Sequence, residues 1–310
     1  ELVHRQNNKK MGDDKSMKKR LLFVFNPRSG KAQIKNHLMD IVDTMVKAGY
    51  EVNAYPTQCA GDAKEKIEAE AGEYDLVVCS GGDGTLDEAV TGMMNRKDRL
   101  PLGYIPAGST NDFASSLGIP KNMVEAAKTA VGGKQFSCDI GSFNGDYFVY
   151  VAAFGLFTEV SYSTSQEWKN VLGHAAYILE GAKRLHDIPS YMMQVEYNNT
   201  VIQDEFIYGM ITNSTSVGGF KGMTGKDVLL DDGVFEVTLI KTPRNPIELN
   251  EIIAALINLV DDTDMIYSFK TNEVKFTSGK EISWTRDGEF GGIHTEVCIR
   301  NLKQAVEIMV

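Results

Sequence analysis

The segment that most constrains this chain is CSGGDGTLDEAV at residues 79–90, which directly follows the apolar run Leu76-Val77-Val78. A short apolar run bounded by turn residues is typical of a buried strand. A chain reversal needs one or two turn residues, whereas this segment places three glycines around the carboxylate of Asp83. Because glycine lets a bulky group approach the backbone closely, we predict that this connection accommodates a ligand.

The first half of the chain alternates short apolar runs with longer segments of helical periodicity. Strands are predicted at residues 21–25, 50–55, 76–79 and 102–105, and helices at residues 32–48, 63–71, 85–95 and from residue 111. This alternation predicts a parallel sheet with helices on both faces. We therefore predict a Rossmann-like, three-layer α/β domain over residues 18–135, with residues 303–310 as a candidate addition to it.

After about residue 136 the rhythm changes to strand-like runs separated by tight turns. Strands are predicted at residues 147–153, 191–197, 201–212, 234–241, 267–276, 282–285 and 296–299, and helices at residues 168–185 and 246–260. Asn198-Asn199, Asp232-Gly233 and Asp287-Gly288 are turn signals between these runs. The pattern predicts a mostly antiparallel, β-sandwich-like domain over residues 136–302.

The charge, the apolar runs and the cysteines of the chain argue against several classes of protein. The formal charge of −10 argues against a nucleic-acid partner, although a local glycine-rich site with a metal can still bind phosphate. Residues 1–17 are polar without an apolar core, which predicts a disordered tail or an expression remnant rather than a secretory signal. The longest apolar run, residues 252–260, is too short to span a bilayer. Four scattered cysteines predict reduced thiols in a cytosolic protein.

Three loops that leave predicted strands of the parallel sheet are rich in small and hydroxyl residues. They are NPRSGK at residues 26–31, SGGDGT at residues 80–85 and PAGSTND at residues 106–112. Loops at the carboxyl ends of parallel strands line one edge, where ligands bind. Glycines and helix-start N–H groups suit a phosphate, and Asp83 and Asp112 suit Mg²⁺. Each loop alone is explained by a turn or a helix cap, but together they predict a nucleotide-phosphate site.

The loops match neither the Walker motif nor the dinucleotide fingerprint, because no GxxxxGK[ST] or GxGxxG spacing follows a strand. The order NPRSGK, SGGDGTLDEAVTG, PAGSTNDFA and a late DGE instead resembles the diacylglycerol kinase catalytic family, particularly its soluble bacterial lipid kinases. GGDGT alone is shared with NAD kinases, sphingosine kinases and phosphofructokinases. PAGSTNDFA, together with the downstream GGF and LDDG segments, narrows the resemblance to lipid kinases. The resemblance extends from about residue 18 to the C-terminus.

The resemblance implies ATP as phosphate donor on an NAD-kinase-like first domain. The nucleotide contacts that it implies are Asn26, Pro27, Arg28, Ser29, Gly30, Thr57, Gly82, Asp83, Gly84, Thr85, Leu86, Asp87, Glu88 and Ser109. Asp83, Asn111 and Asp112 match residues that organise the water shell of a catalytic Mg²⁺. Asp87 departs from the family, which usually has asparagine there. A carboxylate is favourable at a helix start, but its negative charge beside ATP is expected to oppose binding.

Two segments of the second half complete the implied site. By spacing alone, Asp287-Gly288 is a hairpin turn, but the resemblance makes Asp287 and Glu289 the catalytic pair. We assign Glu289 as the base that accepts the proton of a lipid hydroxyl, and Asp287 as its partner or a metal-shell residue, with the roles exchangeable. LLDDGV at residues 229–234 resembles a loop that holds a second, structural Mg²⁺. Its ligands would be the Asp232 carboxylate and the carbonyls of Leu229 and Val234.

These observations predict an ATP-dependent lipid kinase whose leading acceptor is diacylglycerol, giving phosphatidic acid. The alternatives are an NAD-kinase-like small-molecule kinase and a catalytically weak lipid- or nucleotide-binding protein. The lipid acceptor implies a cytoplasmic protein that transiently contacts the inner face of the membrane. An exposed edge of the β-rich domain is a candidate surface for a homodimer.

Overall fold

A computed structural model describes residues 18–156, 188–215, 217, 228–258 and 263–310. The helix predicted over residues 168–185 and the GGF segment at residues 218–220 lie outside these ranges. Within the described ranges the chain forms thirteen strands and six α-helices. None of these helices combines the length and apolar character needed to cross a lipid bilayer. All four cysteines are free thiols, as predicted.

The first half forms the predicted parallel sheet, in the strand order β4-β3-β1-β2. Its strands are β1 (Lys19–Phe25), β2 (Tyr50–Pro56), β3 (Leu76–Gly81) and β4 (Leu102–Pro106). The helices are α1 (Ile34–Lys47), α2 (Asp62–Glu70), α3 (Asp83–Met94), α4 (Asp112–Ser116) and α5 (Met123–Gly132), with a short 3-10 turn at Ala71–Glu73. β3 and β4 are buried along their whole length, which explains why their sequences are continuously apolar rather than alternating.

The second half is built from antiparallel pairs. Its elements are β5 (Gln135–Phe143), β6 (Asp146–Phe148), β7 (Val151–Gly155), β8 (Tyr191–Tyr197), β9 (Thr200–Thr212), β10 (Phe235–Lys241), α6 (Pro246–Asn258), β11 (Ile266–Thr271), β12 (Glu273–Arg286) and β13 (Glu289–Met309). β5 was not predicted. β7 and β8 both lie between β9 and β12, each pairing with a different part of those long strands.

Two predicted strands are each divided in the structure. The predicted strand at residues 147–153 is interrupted because the N–H groups of Val149 and Tyr150 bind a carboxylate rather than a neighbouring strand. The predicted strand at residues 267–276 is divided after Thr271, whose hydroxyl donates to the carbonyl of Glu273 at 2.7 Å. The resulting strands pair with different partners, β11 with β10 and β12 with β13.

Hydrogen bonds connect all thirteen described strands into one sheet. β13 joins the parallel strands to the antiparallel strands. It pairs with β12 at one end and with β4 at the other, where Ile308 lies opposite Leu102. The last residues of the chain therefore contact the parallel strands, and the addition of residues 303–310 to the first domain stays a prediction. The described strands do not divide into two separate sheets, and the sandwich description of the second half stays a prediction.

An aromatic core supports the end of β12. Trp284 has its ring centroid 4.8 Å from Phe154, 5.2 Å from Phe276 and 5.3 Å from Phe143. Each such aromatic pair contributes about 0.5–1.5 kcal/mol beyond the area it buries. This packing fixes the strand whose next residues form the turn at Asp287.

Candidate active site

The three loops predicted to share an edge do meet. The N–H of Asn26 donates to the carbonyl of Ser80 at 2.8 Å, and the N–H of Ala107 donates to that of Gly81 at 2.7 Å. A Cβ atom placed on Gly108 would lie 2.7 Å from the Cα of Gly82. The loops therefore pack backbone against backbone, which requires glycine at the contact.

A cavity of about 370 Å³ opens at this junction. It is lined by Asn26, Arg28, Ser29, Thr57, Gln58, Cys59, Ala60, Gly82, Gly84, Thr85, Glu88 and Glu289. Helix α3 begins at Asp83, and its N-cap residue, Gly82, makes no side-chain cap hydrogen bond. An uncapped helix N-terminus presents N–H groups and a partial positive charge, so this end of the cavity suits a phosphate group.

Eight of the fourteen predicted nucleotide contacts line the cavity: Asn26, Arg28, Ser29, Thr57, Gly82, Gly84, Thr85 and Glu88. Six do not, namely Pro27, Gly30, Asp83, Leu86, Asp87 and Ser109. Leu86 belongs to the hydrophobic core, and Gly30, with φ 55°, packs against the carbonyl of Ala107. The sequence analysis missed Gln58, Cys59 and Ala60, although they follow β2, whose carboxyl end lies on the same edge.

Asp83 lies at the first turn of α3, facing the loop after β4. Its carboxylate accepts hydrogen bonds from the hydroxyl of Thr110 at 3.2 Å and from the backbone N–H of Asp112. Burial, followed by the nearby charge of Asp112, raises the pKa of Asp83 to about 6. The Oδ1 atom of Asp83 is buried without a hydrogen bond to any described residue, so it is chemically suited to a metal-bound water.

Asn111 and Tyr104 shape this loop. Asn111 adopts a left-handed conformation with φ 53°, and its amide both accepts from the N–H and donates to the carbonyl of Gly108, each at 2.9 Å. The buried hydroxyl of Tyr104 donates to the carbonyl of Gly81 at 3.1 Å. The amide of Asn111 is thus engaged within its own loop, and its role in a metal water shell stays a prediction. Tyr104 was not singled out in the sequence, because no motif there indicated its hydrogen bond to Gly81.

Glu289 reaches the cavity from the second half of the chain. It is the first residue of β13, after the turn made by Asp287 and Gly288 with φ 47° and 86°. A Cβ atom on Gly84 would lie 3.7 Å from Oε1 of Glu289, so the carboxylate lies beside the N-terminus of α3. Partial burial, and secondarily the charge of Glu88, raises the pKa of Glu289.

Asp287 is buried and held by the backbone rather than exposed to the cavity. Its carboxylate accepts N–H hydrogen bonds from Val149 at 2.6 Å and from Tyr150 and Val151 at 2.9 Å each. The turn at Asp287 and Gly288 is therefore present in the structure, whereas the catalytic pairing of Asp287 with Glu289 stays a prediction. Of the two carboxylates only Glu289 lines the cavity, which favours Glu289 as the base and Asp287 as the anchor of the turn.

Glu88 shapes the cavity through a helix cap. Its two carboxylate oxygens accept the N–H of Gly61 at 2.8 Å and of Ala63 at 3.1 Å, at the N-terminus of α2. A carboxylate there offsets unpaired N–H groups and the helix dipole. Glu88 thereby fixes the loop of residues 57–61, and its carboxylate is already engaged on the protein side of the cavity.

The LLDDGV loop lies against the end of β13. The fully buried Asp139 accepts the N–H of Gly233 at 2.6 Å and the N–H of Gln304 at 2.7 Å. Lys303 donates to the carbonyl of Asp232 at 3.2 Å, and one carboxylate oxygen of Asp232 accepts the N–H of Val234. Among the described residues no three acidic, histidine or cysteine side chains cluster as a metal site. A cation here would therefore depend on backbone carbonyls beside Asp232.

A parallel sheet with a phosphate cavity at its loop edge, faced by a carboxylate from a second β-rich half, defines a kinase of the two-lobed, glycine-loop class. Residues 20–143 match the family model of the diacylglycerol kinase catalytic domain. The chain is 36% identical over 279 residues to a diacylglycerol kinase of Bacillus subtilis, covering 89% of this chain and 91% of that protein. It is 35% identical over 295 residues to one of Staphylococcus carnosus, covering 94% and 95%. The chain therefore belongs to the diacylglycerol kinase family.

Solved structures agree on the fold. A crystal structure of a protein from Bacillus anthracis str. Sterne matches with a TM-score of 0.80 at 24% identity, covering 95% of this chain and 98% of that one. A second, described as a diacylglycerol kinase from the same source, matches with a TM-score of 0.74 at 23% identity over the same shares. These matches establish an α/β half followed by a β-rich half.

Proposed function

We propose that this protein transfers the γ-phosphate of ATP to the hydroxyl of diacylglycerol, giving phosphatidic acid. The observation that carries the proposal is the approach of Glu289 to the N-terminus of α3 in the cavity that the three loops form. The start of α3 and the loops offer N–H groups and hydroxyls for phosphate, and Glu289 beside them offers a proton acceptor. Phosphoryl transfer requires these two elements in line.

The residues of the first half bind and orient the donor. The N–H groups at the start of α3 and the side chains of Asn26, Arg28 and Ser29 would surround the triphosphate. Asp83 and Asp112 would hold a Mg²⁺ ion through its water ligands, since Asp83 keeps a buried oxygen unpaired among the described residues. When bound, the ion offsets the negative charge of the phosphate oxygens.

Glu289 performs the proton transfer. The acceptor hydroxyl loses its proton as it attacks, and a carboxylate within hydrogen-bond reach accepts it. Partial burial raises the pKa of Glu289, which makes it a stronger base than an exposed carboxylate. Asp287 keeps the turn, and with it Glu289, fixed to residues 149–151.

An acceptor assay tests this function. We expect labelled ATP with Mg²⁺ to produce labelled phosphatidic acid from diacylglycerol in mixed micelles, and no product from a sphingoid base, a polyprenol or NAD. The Asp83→Asn variant, which removes the charge that orders the metal-bound waters, should be at least tenfold slower with an unchanged fold by circular dichroism. Labelled NADP with no labelled lipid would replace the proposal with an NAD kinase, and ATP binding without any transfer would indicate a non-catalytic binding protein.

The second, structural Mg²⁺ is part of the proposal, with Asp232 and the carbonyls of Leu229 and Val234 as ligands. An oxygen-only donor set suits this hard cation. A ligand at one hundred times its Kd stabilises a protein by about 2.7 kcal/mol, so millimolar Mg²⁺ without ATP should raise the melting temperature by several degrees. The shift should disappear in Asp232→Asn and persist in the control Asp231→Asn. An equal shift in all three proteins would contradict a metal role for Asp232.

The acceptor also sets where the enzyme acts. Diacylglycerol stays in the bilayer, so the protein would contact the inner face of the membrane reversibly from the cytoplasm, where ATP is available. Among the described strands β11 is an edge of the β-rich half, because it pairs with β10 alone, and it is the surface that we propose for a homodimer.

A further inference from the structure

Helix α3 meets the turn that carries Glu289 through a pair of buried carboxyl groups. Asp87 lies one helical turn after Asp83, and its carboxyl group is within hydrogen-bonding range of the carboxylate of Asp287. Two carboxylates at this separation in a buried site cannot both be ionised, because their repulsion is not screened by water. One proton must therefore lie between them.

The geometry shows which group holds that proton. Both oxygens of Asp287 already accept backbone N–H groups, Oδ2 from Val149 and Oδ1 from Tyr150 and Val151. Three N–H donors stabilise the ionised form of a carboxyl group. Asp87 has no such donors among the described residues, and its buried Oδ1 atom makes no hydrogen bond there. Asp87 is thus the neutral acid, and its O–H points toward Asp287.

We propose that Asp87 is a positioning residue that donates a hydrogen bond as a neutral carboxylic acid to Asp287, and so fixes the turn carrying Glu289 to helix α3. This inference rests on the proposed function in one respect, which is that Glu289 acts as the base. An asparagine at residue 87, usual in the family, would offer the same donor through its amide. The departure at Asp87 therefore preserves the contact and adds no negative charge beside ATP, contrary to the expectation from the sequence.

The surroundings of the pair agree with this protonation. The charged groups near Asp87 are Arg286, which favours its ionised form, and Glu88 and Asp287, which oppose it. Burial is the largest effect and raises the pKa of Asp87 well above its ordinary value. The titratable groups that interact with Asp287 besides Asp87 include Asp83 and Tyr150. The hydrogen bond is therefore lost only when the pH rises through the elevated pKa of Asp87.

Steady-state kinetics of three variants test the proposal. Asp87→Asn, which keeps a donor, should retain kcat within about threefold, whereas the similarly sized Asp87→Leu should lower kcat tenfold or more at an unchanged KM for ATP. The wild type should lose activity at alkaline pH, and Asp87→Asn should not. Asp43→Asn on α1 is the surface control. Equal losses in both Asp87 variants, or a large change in KM for ATP in Asp87→Asn, would overturn the proposal.

Thermal unfolding without substrate separates this inference from the proposed function. The native state keeps a proton on Asp87 that the unfolded chain releases above its ordinary pKa, so wild-type stability should fall as the pH rises toward the native pKa. In Asp87→Asn this component of the pH dependence should be absent. If the stability difference is observed but no lipid is phosphorylated, the carboxyl pair is supported and the function is wrong. Identical pH dependence in both proteins contradicts the pair.

Discussion

Replacing Glu289 by glutamine is expected to lower kcat for lipid phosphorylation by about 10²–10⁴-fold, the usual contribution of a general base. The substitution keeps the size and position of the side chain but removes its ability to accept a proton. Because Glu289 reaches the N-terminus of α3 from the second half of the chain and is not one of the groups assigned to bind the phosphates, the affinity for ATP should change little. Single-turnover rates together with an ATP titration would separate these two quantities.

The pH profile supplies a second measurement of the same residue. Its pKa is raised, so the wild-type kcat should fall as the pH drops toward that value, earlier than for an exposed glutamate. The low residual rate of Glu289→Gln should not show this fall in kcat, because glutamine does not titrate. The matched control is Glu281→Gln, at an exposed position in β12 of the same hairpin. A kcat for Glu289→Gln within threefold of the wild type would assign the base elsewhere.

The convergence of the three loops could be predicted because its information is local. Each loop follows an apolar strand, and parallel strands place their carboxyl ends on one edge whatever the rest of the fold does. Glycine and hydroxyl residues at those ends then indicate the ligand. The contact between Gly82 and Gly108 is the structural counterpart of that argument. The boundaries of β1 to β4 were accordingly predicted to within about two residues.

The parts that sequence reasoning missed depend on contacts between distant residues. Asp287 is held by Val149, Tyr150 and Val151, more than a hundred residues earlier, and these bonds interrupt a strand that appeared continuous. β13 appeared as a short strand at residues 296–299, but it extends over Glu289–Met309 because three different strands provide partners for its ends. No local pattern encodes either feature.

Side-chain direction was the other limit. Glu88 and Asp87 lie within the glycine-rich motif, so both were assigned to the nucleotide. The structure directs Glu88 to the N-terminus of α2 and Asp87 to Asp287. A motif indicates which segment of the sequence lies near a ligand. The position of each residue around the helix axis then determines which side chains face that ligand. Both carboxyl groups thus have partners within the protein, Glu88 at the N-terminus of α2 and Asp87 at Asp287.

Replacing Gly108 by alanine should weaken ATP binding at least tenfold and lower the free energy of unfolding by about 1–3 kcal/mol, the usual cost of overpacking. The new Cβ would lie 2.7 Å from the Cα of Gly82 and 2.8 Å from Oδ1 of Asn111. A backbone atom cannot rotate away as a side chain would, so the two loops must separate. Their separation would displace the start of α3 from the loop after β1.

The control is Gly132→Ala on α5, where an added Cβ meets no atom within 4 Å. Alanine is favoured over glycine in a helix, so this variant should be at least as stable as the wild type and bind ATP normally. Both variants would be compared by urea unfolding and by the shift in melting temperature that ATP produces. A folded Gly108→Ala protein with unchanged ATP affinity would show that the junction of the loops is not where the triphosphate binds. If Gly108→Ala instead loses more free energy of ATP binding than free energy of unfolding, the backbone contact between Gly82 and Gly108 contributes to nucleotide binding.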